Sequence, residues 1–316
     1  MKKISVIVTT YNAEMTIDRT LNSIINQEGV GKEFDIELIV VDDCSTDGTI
    51  DRLKNFDVIL LSTKSNSGGP NRGRNLGLSH ATGDYICIVD HDDEWFPCKV
   101  KTQLPYLDKV PIVTCSCTYF DHIRNVKYDR PLPSKEPYVY FGKNETFLKR
   151  LVRDFKDQNE FESSAIYWGG SKNIRYEEYF GVIDYDRQLA LYHNRESIEV
   201  RQPLFYRHIH EENLSKKGRY ILRDSYMSLM AIGLHSVYYP REARIGMKRV
   251  FGKLARYYYL YADNMPLARY YFRKSGIFDW KTIAFILSTY WGSSLVKRRL
   301  KKVTGEIDKE NVVGVP

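Results

Sequence analysis

Along the first ninety residues, short uncharged apolar runs alternate with segments whose apolar residues recur at helical spacing. Ile4-Ser-Val-Ile-Val-Thr9 is β-branched and uncharged, which predicts a buried strand. Ile17, Leu21, Ile24 and Ile25 then mark one face of a helix over 13–26. Glu37-Leu-Ile-Val-Val41 predicts a second buried strand, and Asp47-Gly48 a turn before a helix carrying Ile50 and Leu53. A third strand is expected over 58–61. Gly68-Gly69-Pro70 interrupts the chain ahead of a helix over 71–80, and Ala81-Thr-Gly-Asp84 turns into a fourth strand over 85–89. Strand and helix in strict alternation predict an α/β fold with a mostly parallel, doubly wound sheet.

From about Asp121 the pattern loosens into a Pro- and Tyr-rich loop region. Order returns as an expected strand over 163–168, a helix over 184–193 and a strand over 197–206. Beyond Arg219 the spacing is helical, over 220–234, 241–261, 265–274 and 281–302, with Asp263-Asn264 as a hairpin turn. The expected organisation is an α/β domain over 1–218 and a helical appendage over 219–316.

Composition narrows the class. With 316 residues, 43% apolar and 28% charged, the chain is neither disordered nor collagen-like. Five cysteines, odd in number and without CxxC pairs, argue against a disulfide framework and a zinc finger. The segment 1–8 runs from two lysines straight into a strand and lacks a signal-peptide pattern, so a cytoplasmic location is expected. Charge is split: residues 1–200 hold 25 Lys+Arg against 31 Asp+Glu, and residues 201–316 hold 22 against 9. That asymmetry points to an acidic catalytic body and a basic tail facing a negative partner. No nucleic-acid-binding module is recognisable, which weighs against nucleic acid.

Polar clusters follow three of the expected strands, where open α/β sheets bind ligands. They are Thr9-Thr-Tyr-Asn12, Asp42-Asp43 and Asp90-His-Asp-Asp93. Three carboxylates within four residues repel one another unless a cation offsets them, and hard oxygen ligands suit Mg²⁺ or Mn²⁺ clamping a diphosphate. The plain alternative is a solvated acidic turn capping a helix near Pro97. Asp42 and Asp43 can accept hydrogen bonds from a base or ribose, or simply cap the next helix. Tyr11 can stack on a base or pack as an ordinary tyrosine. Arg72 and Arg74 follow a glycine-rich helix entry, a ready anion site. The absence of GxxxxGK[ST] excludes a P-loop, and no GxGxxG follows the first strand.

Taken in order, these segments resemble an inverting family 2 glycosyltransferase of the GT-A fold. The matching text is Ile4–Asn12, Glu37–Thr49, Asn66–Asn75, Ala81–Ile86 and Asp90–Asp93, and the resemblance covers about 1–215. It implies a nucleotide-sugar donor, with UDP expected, a metal on Asp92, and Mn²⁺ or Mg²⁺ as cofactor. Donor binding would fall to Thr9, Tyr11, Asp43, Arg74, Asp90 and His210. His210-Glu-Glu-Asn-Leu-Ser215 is similar to the family's His-x-x-Asn-x-Ser segment. The general base would be Asp184 in Val182-Ile-Asp-Tyr-Asp186. Ile183 stands where the family has Glu, which leaves Asp186 as a rival. Other departures are Cys44 and Gly73, where Gly and Ala are common, and His91, where Ser is common.

The implied reaction is metal-assisted single displacement onto a hydroxyl of a glycan, glycoprotein or lipid-linked acceptor, in bacterial cell-surface polysaccharide synthesis. The alternative is a nucleotide-sugar-binding module that has lost catalysis. For the tail, Thr282–Val296 is uncharged for 15 residues, too short to span a bilayer, and Lys297-Arg-Arg-Leu-Lys-Lys302 follows it. The expectation there is a homo-oligomer contact or peripheral binding at the inner face of the cell membrane.

Overall fold

The structure is a computed structural model describing residues 1–130, 136–156, 158–159, 161–179, 184–210, 218–276 and 280–290. It divides into two compact units. The first comprises Met1–Arg150 with Asp154–Glu211, and the second Leu151–Arg153 with Glu212–Pro316.

The first unit opens with β1 (Lys2–Thr10), α1 (Ile17–Ile25), β2 (Phe34–Asp42), α2 (Thr49–Leu53), β3 (Ile59–Ser62), α3 (Asn71–His80) and β4 (Tyr85–Asp90). The expected elements are all present. α1 begins at Ile17 rather than Ala13, because the 13–16 segment forms a turn in which Thr16 and Ile17 donate to the Ala13 carbonyl. Its buried residues Ile17, Leu21 and Ile24 lie one helical turn apart and pack on the sheet, while Ile25 stays exposed. β1 is buried throughout from Ile4 to Thr10, as a central strand covered on both faces must be. Each such Val or Ile contributes about 1.5–3 kcal/mol of burial.

There follow β5 (Glu94–Trp95), α4 (Lys99–Gln103), β6 (Ile112–Asp121), β7 (Val126–Asp129), β8 (Tyr138–Phe141), α5 (Glu145–Leu151), β9 (Ile166–Trp168), α6 (Tyr185–Tyr192) and β10 (Ser197–Ile209). The ten strands form one sheet in the order β3-β2-β1-β4-β9-β6-β10-β5, with β7 on β6 and β8 on β10. β1 is parallel to β2 and β4, and β10 is parallel to β6. β9 runs antiparallel to both β4 and β6, so β10 points the same way as β1. The expected loop after Asp121 is therefore partly ordered. β7 is exposed along its whole length and carries no alternation to read, and β8 is held by pairing with β10. Of the expected strand over 163–168, only Ile166–Trp168 is strand. Glu162–Ser164 is a 3₁₀ turn with all three residues buried.

The second unit contains α7 (Gly218–Leu234), α8 (Pro240–Leu260), α9 (Met265–Ser275) and α10 (Trp280–Ser288). Pro240 opens α8 at its first position, where its missing N–H costs nothing. Asn264 caps α9 by accepting from the Leu267 N–H, and Gly276 ends it at φ 58°. Ala255, Tyr259, Ala268 and Phe272 form a buried cluster. α10 ends at Ser288, short of the expected helix over 281–302, and the residues beyond Tyr290, Trp291 and Lys297–Lys302 among them, lie outside the described residues.

Candidate active site

Parallel register sets the polar clusters level. Thr9 of β1 lies between Val41 of β2 and Asp90 of β4, and Thr10 pairs with Asp42. The chain steps outward from β1 to β2 and β3, then returns to β4 on the other side. The crevice at this reversal is where such sheets bind ligands. Because β10 runs with β1, its carboxyl end delivers Arg207 and His210 to the same edge.

The three aspartates of the acidic turn have different environments. Asp90 is paired with the buried Arg74, whose Nη2 donates to Oδ1 at 2.7 Å, and the guanidinium lies 5.2 Å from the Tyr176 ring. Burial opposes the Arg74 charge, but Asp90, Tyr176, Asp184 and Glu162 together raise its pKa. Asp92 Oδ2 lies 2.9 Å from His210 Nε2. Burial pushes the Asp92 carboxyl up, yet the His210 contact and the charges of His91 and Arg207 bring it down to about 2. Asp93 is fully buried with Oδ2 lacking a hydrogen-bond partner among the described residues, and burial raises its pKa well above the usual range. The anion of Asp92 is thus favoured by its surroundings, whereas burial opposes the charge of Asp93 and Arg207 offsets part of that cost.

Arg207 is absent from the sequence-based set. Its guanidinium sits 3.9 Å from the Phe161 ring centroid and, against the opposing effect of burial, is held charged by Asp93, Asp90 and Asp92. The only signal in the sequence is a basic residue three before His210, just past the strand expected over 197–206.

Asp43 is buried, and its carboxylate accepts from Thr63 Oγ1 at 2.6 Å, Ser67 N at 2.9 Å and Ser67 Oγ at 3.0 Å. It orders the loop between β3 and α3. Tyr11, by contrast, is 44% exposed and has its ring available for stacking. Thr9 is buried, and a Cβ added to Gly73 would lie 3.0 Å from its Cγ2, so the missing methyl lets α3 approach β1. Cys44 has φ 63°, the left-handed region, which accounts for glycine being common there. His91 is anchored rather than free, with Nδ1 3.3 Å from Thr16 Oγ1.

Asp184 precedes the first turn of α6 without capping it through its side chain. Its Oδ2 accepts from Gln188 Nε2 at 3.1 Å, and Gln188 Oε1 in turn accepts from the buried Arg150. The approach to Asp184 is clamped to α3: Asn75 Nδ2 donates to the Tyr176 carbonyl at 2.9 Å, and Tyr176 N–H donates back to Asn75 Oδ1 at 2.9 Å. Asp186 has a buried Oδ1 without a described partner, and burial raises its pKa. Ile183 lies outside the described residues, as do 211–215 of the His210 segment.

A divalent ion fits this donor set only as an open site. Among the described residues no three His, Cys, Asp or Glu side chains cluster closely enough to hold a metal unaided. Asp92 and His210 would supply at most two ligands, which would leave the other positions to substrate oxygens and water, the usual habit of Mg²⁺ and Mn²⁺.

The mixed sheet with this crevice, followed by C-terminal helices, is the GT-A class of α/β fold. The crystal structure of S. aureus TarS residues 1–349 matches at a TM-score of 0.62, 19% identity, covering 99% of this chain and 98% of that one. The same protein in complex with UDP-GlcNAc matches at 0.58 and 18% identity, with the same coverage. The chain belongs to glycosyl transferase family 2, whose profile matches residues 5–177, more than half its length. Poly(ribitol-phosphate) β-N-acetylglucosaminyltransferase TarS of Staphylococcus aureus is 42% identical over 34% of this chain and 19% of its own length. Poly(ribitol-phosphate) β-glucosyltransferase of Bacillus spizizenii is 42% identical over 29% of this chain and 15% of its own. The chain thus matches less than a fifth of the length of these two relatives.

Proposed function

We propose that this protein transfers a hexosyl or N-acetylhexosaminyl group from a nucleotide diphosphate sugar, UDP-linked, to a hydroxyl of a glycan or glycoconjugate acceptor, with inversion. The observation that carries this is the sorting of the acidic turn: one carboxylate on Arg74, one on His210, one buried. An ordinary capping turn requires only one acidic residue. The names of the relatives and the UDP-GlcNAc bound to one of them support the donor class and a place in cell-surface polysaccharide synthesis.

Tyr11 stacks on the base, while Asp43 and Thr9 shape its pocket. Asp90, oriented by Arg74, addresses the ribose–phosphate region. Asp92 and His210 would hold Mn²⁺ or Mg²⁺, which when bound neutralises charge on the diphosphate. Arg207 holds the three aspartates together without adding to the negative charge facing the donor. Asp184, kept in place by Gln188, takes the proton from the acceptor hydroxyl. That oxygen then bonds to the anomeric carbon as the bond to the diphosphate oxygen breaks, and the nucleoside diphosphate leaves. Such a base contributes about 10²–10⁴-fold.

Donor profiling against nucleotide sugars with Mn²⁺ or Mg²⁺ tests the activity, and Asp184→Asn tests the base. The variant should lose transfer by at least about 100-fold while binding nucleoside diphosphate as before. If Asp186→Asn is the inactive variant instead, the base is Asp186. Binding of a donor that no acceptor or variant ever turns over would make the chain a binding module.

A further inference from the structure

The second unit exposes apolar side chains where one helix hands over to the next. On α7, Tyr226, Met230 and Leu234 follow one another at four-residue steps along one face, and Met230 is 62% exposed. The face runs into the turn before α8, where Leu234, Val237 and Tyr238 are 80%, 80% and 81% exposed. Side chains open to this degree make little contact with the rest of the described chain.

Basic residues adjoin this turn. Arg241 and Arg244, in the first two turns of α8, are exposed and form no hydrogen bond or ion pair with any described residue. From 225 to 262 the sequence holds six Lys or Arg and a single acidic residue, Glu242.

We propose that the α7–α8 tip is a membrane contact, inserting Leu234, Val237 and Tyr238 among lipid headgroups while Arg241 and Arg244 meet anionic lipid. A rigid protein partner would need a matching pocket for three nearly bare side chains, whereas a bilayer interface deforms around them. Aliphatic residues beside a tyrosine, flanked by arginines, have the composition of an interfacial anchor. Charge complementarity selects an anionic surface. These residues are distant in sequence from the apolar stretch over 282–296, and the proposal does not depend on the glycosyl-transfer reading.

The test is flotation of the full-length protein with phosphatidylcholine vesicles, plain or containing about a third phosphatidylglycerol. Binding should require the anionic lipid. Leu234→Ser, Val237→Ser and Tyr238→Ser should each weaken it about tenfold, and Arg241→Gln and Arg244→Gln about fivefold each, less at high salt. Residues this exposed can be replaced without unfolding the chain, which an unchanged melting temperature verifies. In Tyr238→Trp, bromine-labelled lipid should quench fluorescence beyond that of the unsubstituted protein. Failure of the full-length protein to bind anionic vesicles overturns the proposal. So does binding that every tip variant retains. Loss of an oligomer in the tip variants, with no vesicle binding in the parent, would make the tip a protein interface and equally refute the membrane contact.

Discussion

Replacing Glu37 by glutamine removes a buried charge five residues before Asp42, about 16 Å back along β2 from the crevice. Glu37 Oε2 accepts from Ser5 Oγ at 2.5 Å and Thr82 N at 2.8 Å, while Oε1 accepts from Thr82 Oγ1 at 2.6 Å and lies 2.7 Å from Lys3 Nζ. Gly83 N–H donates to Ser5 Oγ, and a Cβ on Gly83 would strike Ser5 N at 2.6 Å. The Ala81-Thr-Gly-Asp84 motif is therefore a buckle between α3 and the start of β1. Burial alone would raise the Glu37 pKa, but Lys3, Ser5 and Thr82 bring it to about 2 from 4.5. A depressed folded-state pKa means stability that is present above pH 4.5 and lost as pH falls toward 2. Two and a half pH units correspond to about 3 kcal/mol, an upper figure because Lys3 is partly exposed. Glutamine also turns an N–H toward groups that donate. Urea unfolding of Glu37→Gln at pH 7 should show a loss of about 2–3 kcal/mol, and the gap from the parent should shrink by more than half by pH 3. The Michaelis constant for donor should stay unchanged in the folded variant. A gap that is absent at pH 7, or constant between pH 7 and 3, refutes the reasoning.

Three further substitutions probe the frame around the crevice. Gly77→Ala places a Cβ 2.4 Å from Ile7 Cγ2; overpacking by about 1–3 kcal/mol should outweigh the helix-propensity gain of about 1 kcal/mol, and a raised melting temperature would contradict this. Cys44→Gly relieves a left-handed residue at φ 63° and should raise the urea midpoint by the equivalent of about 0.5–1 kcal/mol; destabilisation would show that the cysteine side chain matters more than its backbone. Arg187 is buried beside Glu162, with Nη1 3.5 Å from both carboxylate oxygens and Nε donating to the Ile174 carbonyl at 2.9 Å. Arg187→Met leaves that carboxylate buried without its ion-pair partner, with the Tyr167 hydroxyl still donating to it at 3.0 Å, so a loss of about 3–5 kcal/mol is expected. A near-neutral variant would mean that the pair contributes little beyond packing.

The alternation of apolar runs determined β1 to β4 and α1 to α3, because these elements bury faces that local spacing records. It also placed Thr9, Asp43 and Asp90 at strand ends, and hence in one crevice, since parallel strands in register end together. What the sequence could not distinguish was the state of each carboxylate in Asp90-His-Asp-Asp93. The three aspartates look alike as text, and only packing decides that Asp90 meets Arg74, Asp92 meets His210 and Asp93 is buried. Arg207 escaped notice for the same reason. Its role depends on β10 running parallel to β6, where Arg207 pairs with Tyr119, a residue distant in sequence. β7 and β8 were likewise invisible, since β7 has no buried face and β8 exists through its bond to β10. Local periodicity reports which face of an element is apolar. Which charges meet across the fold is settled by long-range strand order, and that is a property of the assembled sheet.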